Sequence, residues 1–314
     1  MAEDQMGLVR ESFGQALTIK DILTASVIGA FVSTFGTLVG LYLKDVLAVR
    51  SFERWKARQT LIGIYRRYRM PIFFAAEELS GRLHSIAKSE SPAKGYSVQL
   101  LKTQTKRDPT ALAGEHYKQY RFVSHVYRLC SFLAWLEMYR RDIGNLDVDA
   151  LDRNHRLESC LENVRSAIAD GWVNSHADID TWRDCLIFRE ELRAIGFQMA
   201  EDQKDLTILD FGSFSEVLQS DPNGDASARW FYQAALFFDD LQPNKDFRIV
   251  RMRLLVVMLT DLMEVLEPGR LPPTYIKTAL EWFDDIDRAT GGKEWRRAGD
   301  KDAVKERLRR ATRV

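Results

Sequence analysis

The chain has 314 residues, 46% of them hydrophobic, and its 45 Lys and Arg balance 45 Asp and Glu, so the formal net charge is zero. That length holds a membrane span together with one or two further domains and an ordinary buried core, while the neutral total conceals an uneven placement of charge. Three widely spaced cysteines, Cys130, Cys160 and Cys185, with no CxxC pair or His/Cys cluster, exclude a zinc site by spacing and read as buried free thiols in a reducing compartment.

Residues 1–21 form a short polar N-terminus. Ile22 to Leu43 (ILTASVIGAFVSTFGTLVGLYL) then run without a charged side chain, closed by Lys20-Asp21 on one side and Lys44-Asp45 on the other. A helix needs roughly 20 apolar residues to cross the hydrocarbon core, so 22–43 is predicted to be a transmembrane helix. A cleavable signal peptide is the rival reading. Its apolar region would be about 7–15 residues long and end at a small-residue cleavage site, and neither feature fits.

Within the span, Ser26, Gly29, Ser33, Gly36 and Gly40 recur at heptad spacing, and all are small. Small residues let helix backbones approach closely in lipid, where no hydrophobic force draws helices together. The stripe therefore reads as the contact face of a homo-oligomer, either as a packing seam or as the lining of a narrow conduit. Thr34 and Thr37 lie beside it, placed to hydrogen-bond across. The lack of a charged residue inside the span argues against a proton relay or an ion-binding transport site.

Residues 44–69 are predicted to continue as a basic helical stalk. They carry Lys44, Arg50, Arg54, Lys56, Arg58, Arg66, Arg67 and Arg69 against only Asp45 and Glu53. Lys and Arg in short flanks stay cytoplasmic, so the larger part is expected inside a bacterial inner membrane and the N-terminus outside. Arg50, Arg54 and Arg58 share a helix face suited to lipid headgroups. Arg66, Arg67 and Arg69, interleaved with Tyr65 and Tyr68, could hold a nucleotide or single-stranded oligonucleotide by charge and stacking, or a protein partner. Internal ion pairs are the competing use. Pro71 is the first strong helix breaker, which predicts one helix of about 75 Å from Thr18 to Arg69 at 1.5 Å per residue.

Residues 70–290 read as a helical cytoplasmic domain. Helices are expected over 72–87, 115–143, 149–169, 178–201, 213–219, 227–241, 246–267 and 273–288. The stretch 88–114 reads as a loop, and 205–214 is the one candidate strand. LLVVMLTDLMEVL is apolar nearly all round, as a central bundle helix is. Residues 291–314 form a basic C-terminal tail. The fold class is all-α.

No chemistry-bearing motif stands out. His84, His116, His125, His155 and His176 form no HExxH or i,i+4 pair, and no glycine-rich phosphate loop is present. Asp221, Asn223 and Asp225 begin like a calcium loop, but Ala226 and Tyr232 stand where the turn glycine and bidentate Glu belong. No cofactor, metal or enzymatic activity is expected. A pocket gathering His125, Glu137 or other titratable groups would reopen the enzyme reading.

Three blocks, YRRYRMPIFFAAEELSGRLHSI, FLAWLEMYRRDIGNLD and RMRLLVVMLTDLMEVLEP, resemble an uncharacterised family of bacterial membrane-anchored helical proteins. That resemblance implies a helical fold over roughly residues 55–270. In layout the chain also resembles the membrane effectors of bacterial anti-phage systems, such as the channel-forming effector of the Hailong system. Those pair membrane helices with a helical sensor of nucleotides or oligonucleotides. The expectation is a ligand-gated, channel-forming oligomer in the membrane; the alternative is a membrane-tethered scaffold that binds another protein.

Overall fold

The computed structural model describes residues 19–88, 97–102, 113–144, 155–169, 186–202, 204–220, 226–241, 246–290 and 298–312. The fold is all-α. The chain divides into two compact units, residues 1–59 and 60–314. The expected helical starts at 149–154 and 178–185, with Cys185, fall outside the described residues, as do Asp221, Asn223 and Asp225 of the rejected calcium loop.

In the first unit, α1 (Ile19–Leu41) runs into a π-helical segment, Tyr42–Leu47, and then into the first turns of α2 (Ala48–Lys88). Residues 26–44 are exposed throughout, with Phe31, Val32 and Phe35 each more than 65% accessible. The expected single α-helix thus contains a wider π turn where the apolar run meets Lys44 and Asp45. It also does not stop at Pro71, which lies inside α2. A proline in a helix interior costs about 3 kcal/mol through a lost hydrogen bond and a clash. Here the residues around it, Tyr68, Ile72, Phe73, Ala76 and Leu79, are at most 1% exposed. Burying one large apolar side chain contributes about 1.5–3 kcal/mol, so together they outweigh the proline.

The second unit therefore begins ten residues before the expected boundary at 70, and Leu61 and Tyr68 already belong to its core. After α2 come α3 (Gln99–Lys102), α4 (Ala113–Gly144), α5 (His155–Ala169) and α6 (Arg189–Met199). The short strands β1 (Ala200–Asp202) and β2 (Thr207–Ile208) pair antiparallel. They are followed by α7 (Phe211–Gln219), α8 (Ala226–Leu236), α9 (Phe247–Leu266), α10 (Pro273–Thr290) and α11 (Ala298–Ala311). The stretch expected as a loop at 88–114 thus holds α3, whose Leu101 is buried beside Val98. β2 lies within the expected strand; β1 takes the end of what reads as helix.

The central helix is α9. Asp246 caps its start, its Oδ1 accepting from Arg248 N at 2.9 Å, and Pro268 follows its end. Seventeen of its residues are buried, as its all-round apolar pattern demands. It packs on α5, α10 and α11, while α4 packs on α6, α7 and α8. The second half of α2 is tied across both groups. Tyr68 donates to Asp142 on α4 at 2.8 Å, and Arg253 on α9 donates to Ala87 O at 3.2 Å. Two wholly buried arginines are satisfied inside this core. Arg248 grips Asp246 and the Leu236 carbonyl, and Arg251 donates to the last carbonyls of α5, at Ala167 and Ile168.

The expected basic tail is instead a helix of the unit. Val304 and Leu308 of α11 are fully buried, one turn apart on the face that meets α9 and α10. Its basic residues answer acidic ones there: Lys301 pairs with Asp287, Lys305 with Asp284, and Arg307 with Asp261.

Candidate functional site

Three places in the chain gather features that point beyond packing. The first is the small-residue stripe of α1. Ser26, Gly29, Ser33, Gly36 and Gly40 are all exposed, and a Cβ built on any of the three glycines meets nothing within 4 Å. Close packing inside the chain therefore does not account for them. Thr34 and Thr37 do not reach across the stripe: their hydroxyls donate to Ala30 O and Ser33 O, each at 2.8 Å. That back-bonding satisfies the hydroxyls within the helix, the ordinary behaviour of Thr in an apolar setting.

The second is the basic collar. Arg50, Arg54 and Arg58 are exposed, with Val49, Phe52 and Trp55 exposed among them. Phe52 and Trp55 stack at 5.8 Å. Arginines beside exposed aromatics make up what an interfacial segment presents to headgroups. The upper cluster does not hold together as an anion platform. Arg66 is exposed, but Arg67 faces Asp142 at 3.8 Å and also donates to the Lys204 carbonyl. Arg69 Nε lies 2.7 Å from both Glu267 Oε1 and the Leu266 carbonyl, at the end of α9. Tyr68 is completely buried, with its hydroxyl on Asp142, so it offers no face to a base. The alternation of Arg and Tyr, read as a stacking motif, is the trace of a helix whose one face enters the core.

The third is a cleft of about 140 Å³ between α4, α5 and α6, lined by Leu133, Leu136, Glu137, Glu162, Arg165, Arg189, Glu190, Leu192 and Arg193. Glu137 is 6% exposed and clasped by Arg140, whose Nε and Nη2 reach its two oxygens at 2.8 and 2.7 Å, with Arg141 Nε at 3.2 Å. Burial acts to raise its carboxyl, but hydrogen bonds and charge from Arg140 and Arg141 prevail and hold it below the usual range. It is thus a fixed carboxylate at neutral pH, unsuited to give up a proton. Arg189 bridges Glu162 Oε1 at 2.7 Å and Ser166 Oγ at 3.0 Å. Arg165 reaches Glu162 Oε2 at 3.8 Å.

Only Glu137, of the two residues expected to mark a pocket, lines this cleft. His125 sits elsewhere, 1% exposed and 6.0 Å from the Phe238 ring. Burial, then the charges of Arg82, Arg121 and Arg128, lower its pKa to about 3, so it stays neutral. Cys130 and Cys160 are buried thiols; burial raises both, and Cys160 donates to Asp261 Oδ2 at 3.2 Å beside Arg307. Among the described residues no cluster of His, Cys, Asp and Glu could hold a metal ion. The cleft escaped sequence reasoning because its walls come from three helices separated by tens of residues. The one local signal is the i,i+4 arginine pair Arg189 and Arg193 at the start of α6.

One helix of the described residues is long and apolar enough to cross a membrane, and its apolar window is not buried at all. Comparison with family models, curated proteins and solved structures finds no match for this chain.

Proposed function

We propose that the chain is an oligomeric membrane protein of the bacterial inner membrane. In this reading α1 spans the bilayer, copies meet through Ser26, Gly29, Ser33, Gly36 and Gly40, and the helical second unit acts in the cytoplasm as the sensor of a gated channel. The observation that carries the reading is the exposure of residues 26–43 of an uncharged apolar run, with a heptad of small residues whose three glycines have nothing within 4 Å of an added Cβ. Water does not tolerate such a surface; lipid does, and neighbouring copies give the glycines a reason to be small. The basic residues from Arg50 to Arg58 support a cytoplasmic second unit. The likeness in layout to anti-phage membrane effectors makes growth arrest in expressing cells a second readout.

The test is ion flux through liposomes carrying the purified full-length protein, compared with the Gly36→Leu/Gly40→Leu variant. Flux lost in the variant supports a conduction path along the stripe. A variant that conducts like the parent removes the pore from the reading. Absence of flux even with cell extract supplied as a source of ligand favours a membrane-tethered scaffold, in which case an unrelated anchor in place of residues 22–43 leaves function intact.

A further inference from the structure

We propose that the cleft between α4, α5 and α6 binds a single small oxyanion, the phosphate or carboxylate group of a compact ligand, between the guanidinium groups of Arg165 and Arg193.

The sign of the ligand follows from which charges already have partners. Two of the three carboxylates that line the cleft, Glu137 and Glu162, are committed. Glu137 is held by two arginines, and Glu162 takes Arg189 at 2.7 Å and Arg165 at 3.8 Å. A cation would have to displace guanidinium groups to reach either. The guanidiniums are the under-compensated side. Arg165, with a side chain 24% exposed, shares Glu162 with Arg189 and meets it only at the longer distance. Arg193 lines the same cleft and has no carboxylate partner among the described residues. Burial of Arg165, followed in the same direction by the charges of Arg193 and Arg140, lowers its pKa, while Glu162 and Glu158 oppose this. An oxyanion between Arg165 and Arg193 relieves that repulsion, and planar guanidinium forks match phosphate and carboxylate oxygens. The first turn of α6 adds to the field. Arg189, Glu190, Leu192 and Arg193 line the cleft, and the residue before them, Phe188, supplies no side-chain acceptor to the first amides of the helix. Glu190, exposed at the rim and with no partner among the described residues, acts against an anion. So do Glu158, which bears on Arg165, and Glu191, whose Oε2 accepts from Phe188 N in the same first turn.

Size narrows the class. Pockets for drug-sized ligands are about 300–1,000 Å³, and this cleft is about 140 Å³. A phosphate or carboxylate with a short body resting on Leu133 and Leu192 fits that space; a nucleotide does not. A part for this ligand in gating rests on the channel reading above, whereas binding itself does not.

The experiment is a thermal melt of the full-length protein in detergent, titrated separately with inorganic phosphate, glycerol phosphate and succinate, with sodium chloride at matched ionic strength. The expected result is a saturable rise in Tm with at least one oxyanion and none with chloride; the lowest half-saturating concentration identifies phosphate, phosphomonoester or carboxylate as the recognised group. Arg193→Gln, which removes an exposed side chain with no ion-pair partner among the described residues, should raise that concentration about tenfold or more, the loss expected of one charge-assisted hydrogen bond. Arg66→Gln, an exposed arginine away from the cleft, should not change it. The proposal is overturned if no oxyanion gives a saturable shift, if chloride does as well, or if Arg193→Gln titrates like the parent. Because the melt needs no membrane flux, this failure and failure of the channel reading are separately visible.

Discussion

Gly196 shows how one residue sets the distance between two helices. A Cβ there would lie 2.5 Å from the Leu133 carbonyl and 3.0 Å from Glu137 Cβ, so α6 rests backbone to backbone on α4. Alanine ordinarily stabilises a helix by about 1 kcal/mol over glycine. At this site the clash with a carbonyl decides the sign, and Gly196→Ala should destabilise by about 1–3 kcal/mol. Gly81→Ala on α2, where an added Cβ meets nothing within 4 Å, should instead stabilise by about 0.5–1 kcal/mol. Urea melts of the two variants should therefore move in opposite directions. His125 makes a second residue-scale prediction. Its pKa is about 3 in the fold against an ordinary 6.5, with Arg82, Arg121, Arg128 and Phe238 as its surroundings. Between those values the unfolded chain takes up a proton that the folded one refuses. Stability therefore falls on acidification, by at most about 1.4 kcal/mol per pH unit. Glu137, depressed below its ordinary 4.5, loses its own contribution only as the pH falls beneath that value. From pH 6.5 down to 4.5, His84, lowered by burial and by Lys88, adds a loss of the same sign, while Glu158 and Glu264, raised by burial, oppose it. The share of His125 is therefore the difference between the parent curve and that of His125→Leu, which should fall less steeply. The surroundings of neither residue are legible in the sequence: the partners of Gly196 lie some sixty positions away, and nothing near His125 in the chain announces its burial against Phe238.

At the scale of elements, what the sequence makes legible is whatever repeats locally. The apolar circumference of α9, the periodicity of α4, the end of α7 and the start of α10 follow from neighbours within a few turns, and the structure has them. Features decided by distant partners read differently. Pro71 signals a stop, yet burial on either side carries α2 through it to Lys88. The last helix looks like a basic tail because Val304 and Leu308 are too few to declare a face, and its lysines and arginines acquire meaning only opposite Asp261, Asp284 and Asp287. The Arg307–Asp261 pair is the strongest of these contacts. Asp261 is fully buried, and Arg307 Nε meets its Oδ1 at 2.6 Å. Removing one partner of a buried pair leaves a charge without compensation and costs about 3–5 kcal/mol, whereas replacing both with apolar residues costs far less. Arg307→Ala should therefore destabilise more than Arg307→Leu/Asp261→Leu in urea melts. Equal losses would mean that the pair contributes only through packing.

At the scale of the whole molecule the formal charge is zero, and the distribution is what matters. On the C-terminal side of the apolar helix, Lys44, Arg50, Arg54, Lys56 and Arg58 outnumber Asp45 and Glu53; on the other side Arg10 and Lys20 are outnumbered by acidic residues. If lipid is the environment of α1, this asymmetry sets which end crosses, since Lys and Arg near a span resist translocation and Asp and Glu count for little. The collar arginines are exposed rather than consumed in the core, so they remain available for that role, whereas Arg67 and Arg69 are already engaged on Asp142 and Glu267. A membrane-impermeant maleimide applied to intact cells should accordingly label Ser12→Cys but not Ser85→Cys in a Cys185→Ser background, where Cys130 and Cys160 are shielded by burial. Ser85, exposed on α2, should react only after lysis. Neutralising the collar as Arg50→Gln/Arg54→Gln/Arg58→Gln should raise the fraction of Ser85→Cys labelled from outside, and the same change at Arg66 alone should not. Labelling of Ser85→Cys in intact cells carrying the unaltered collar would instead put the helical unit outside, and with it the cleft, whose ligand would then be drawn from the periplasm.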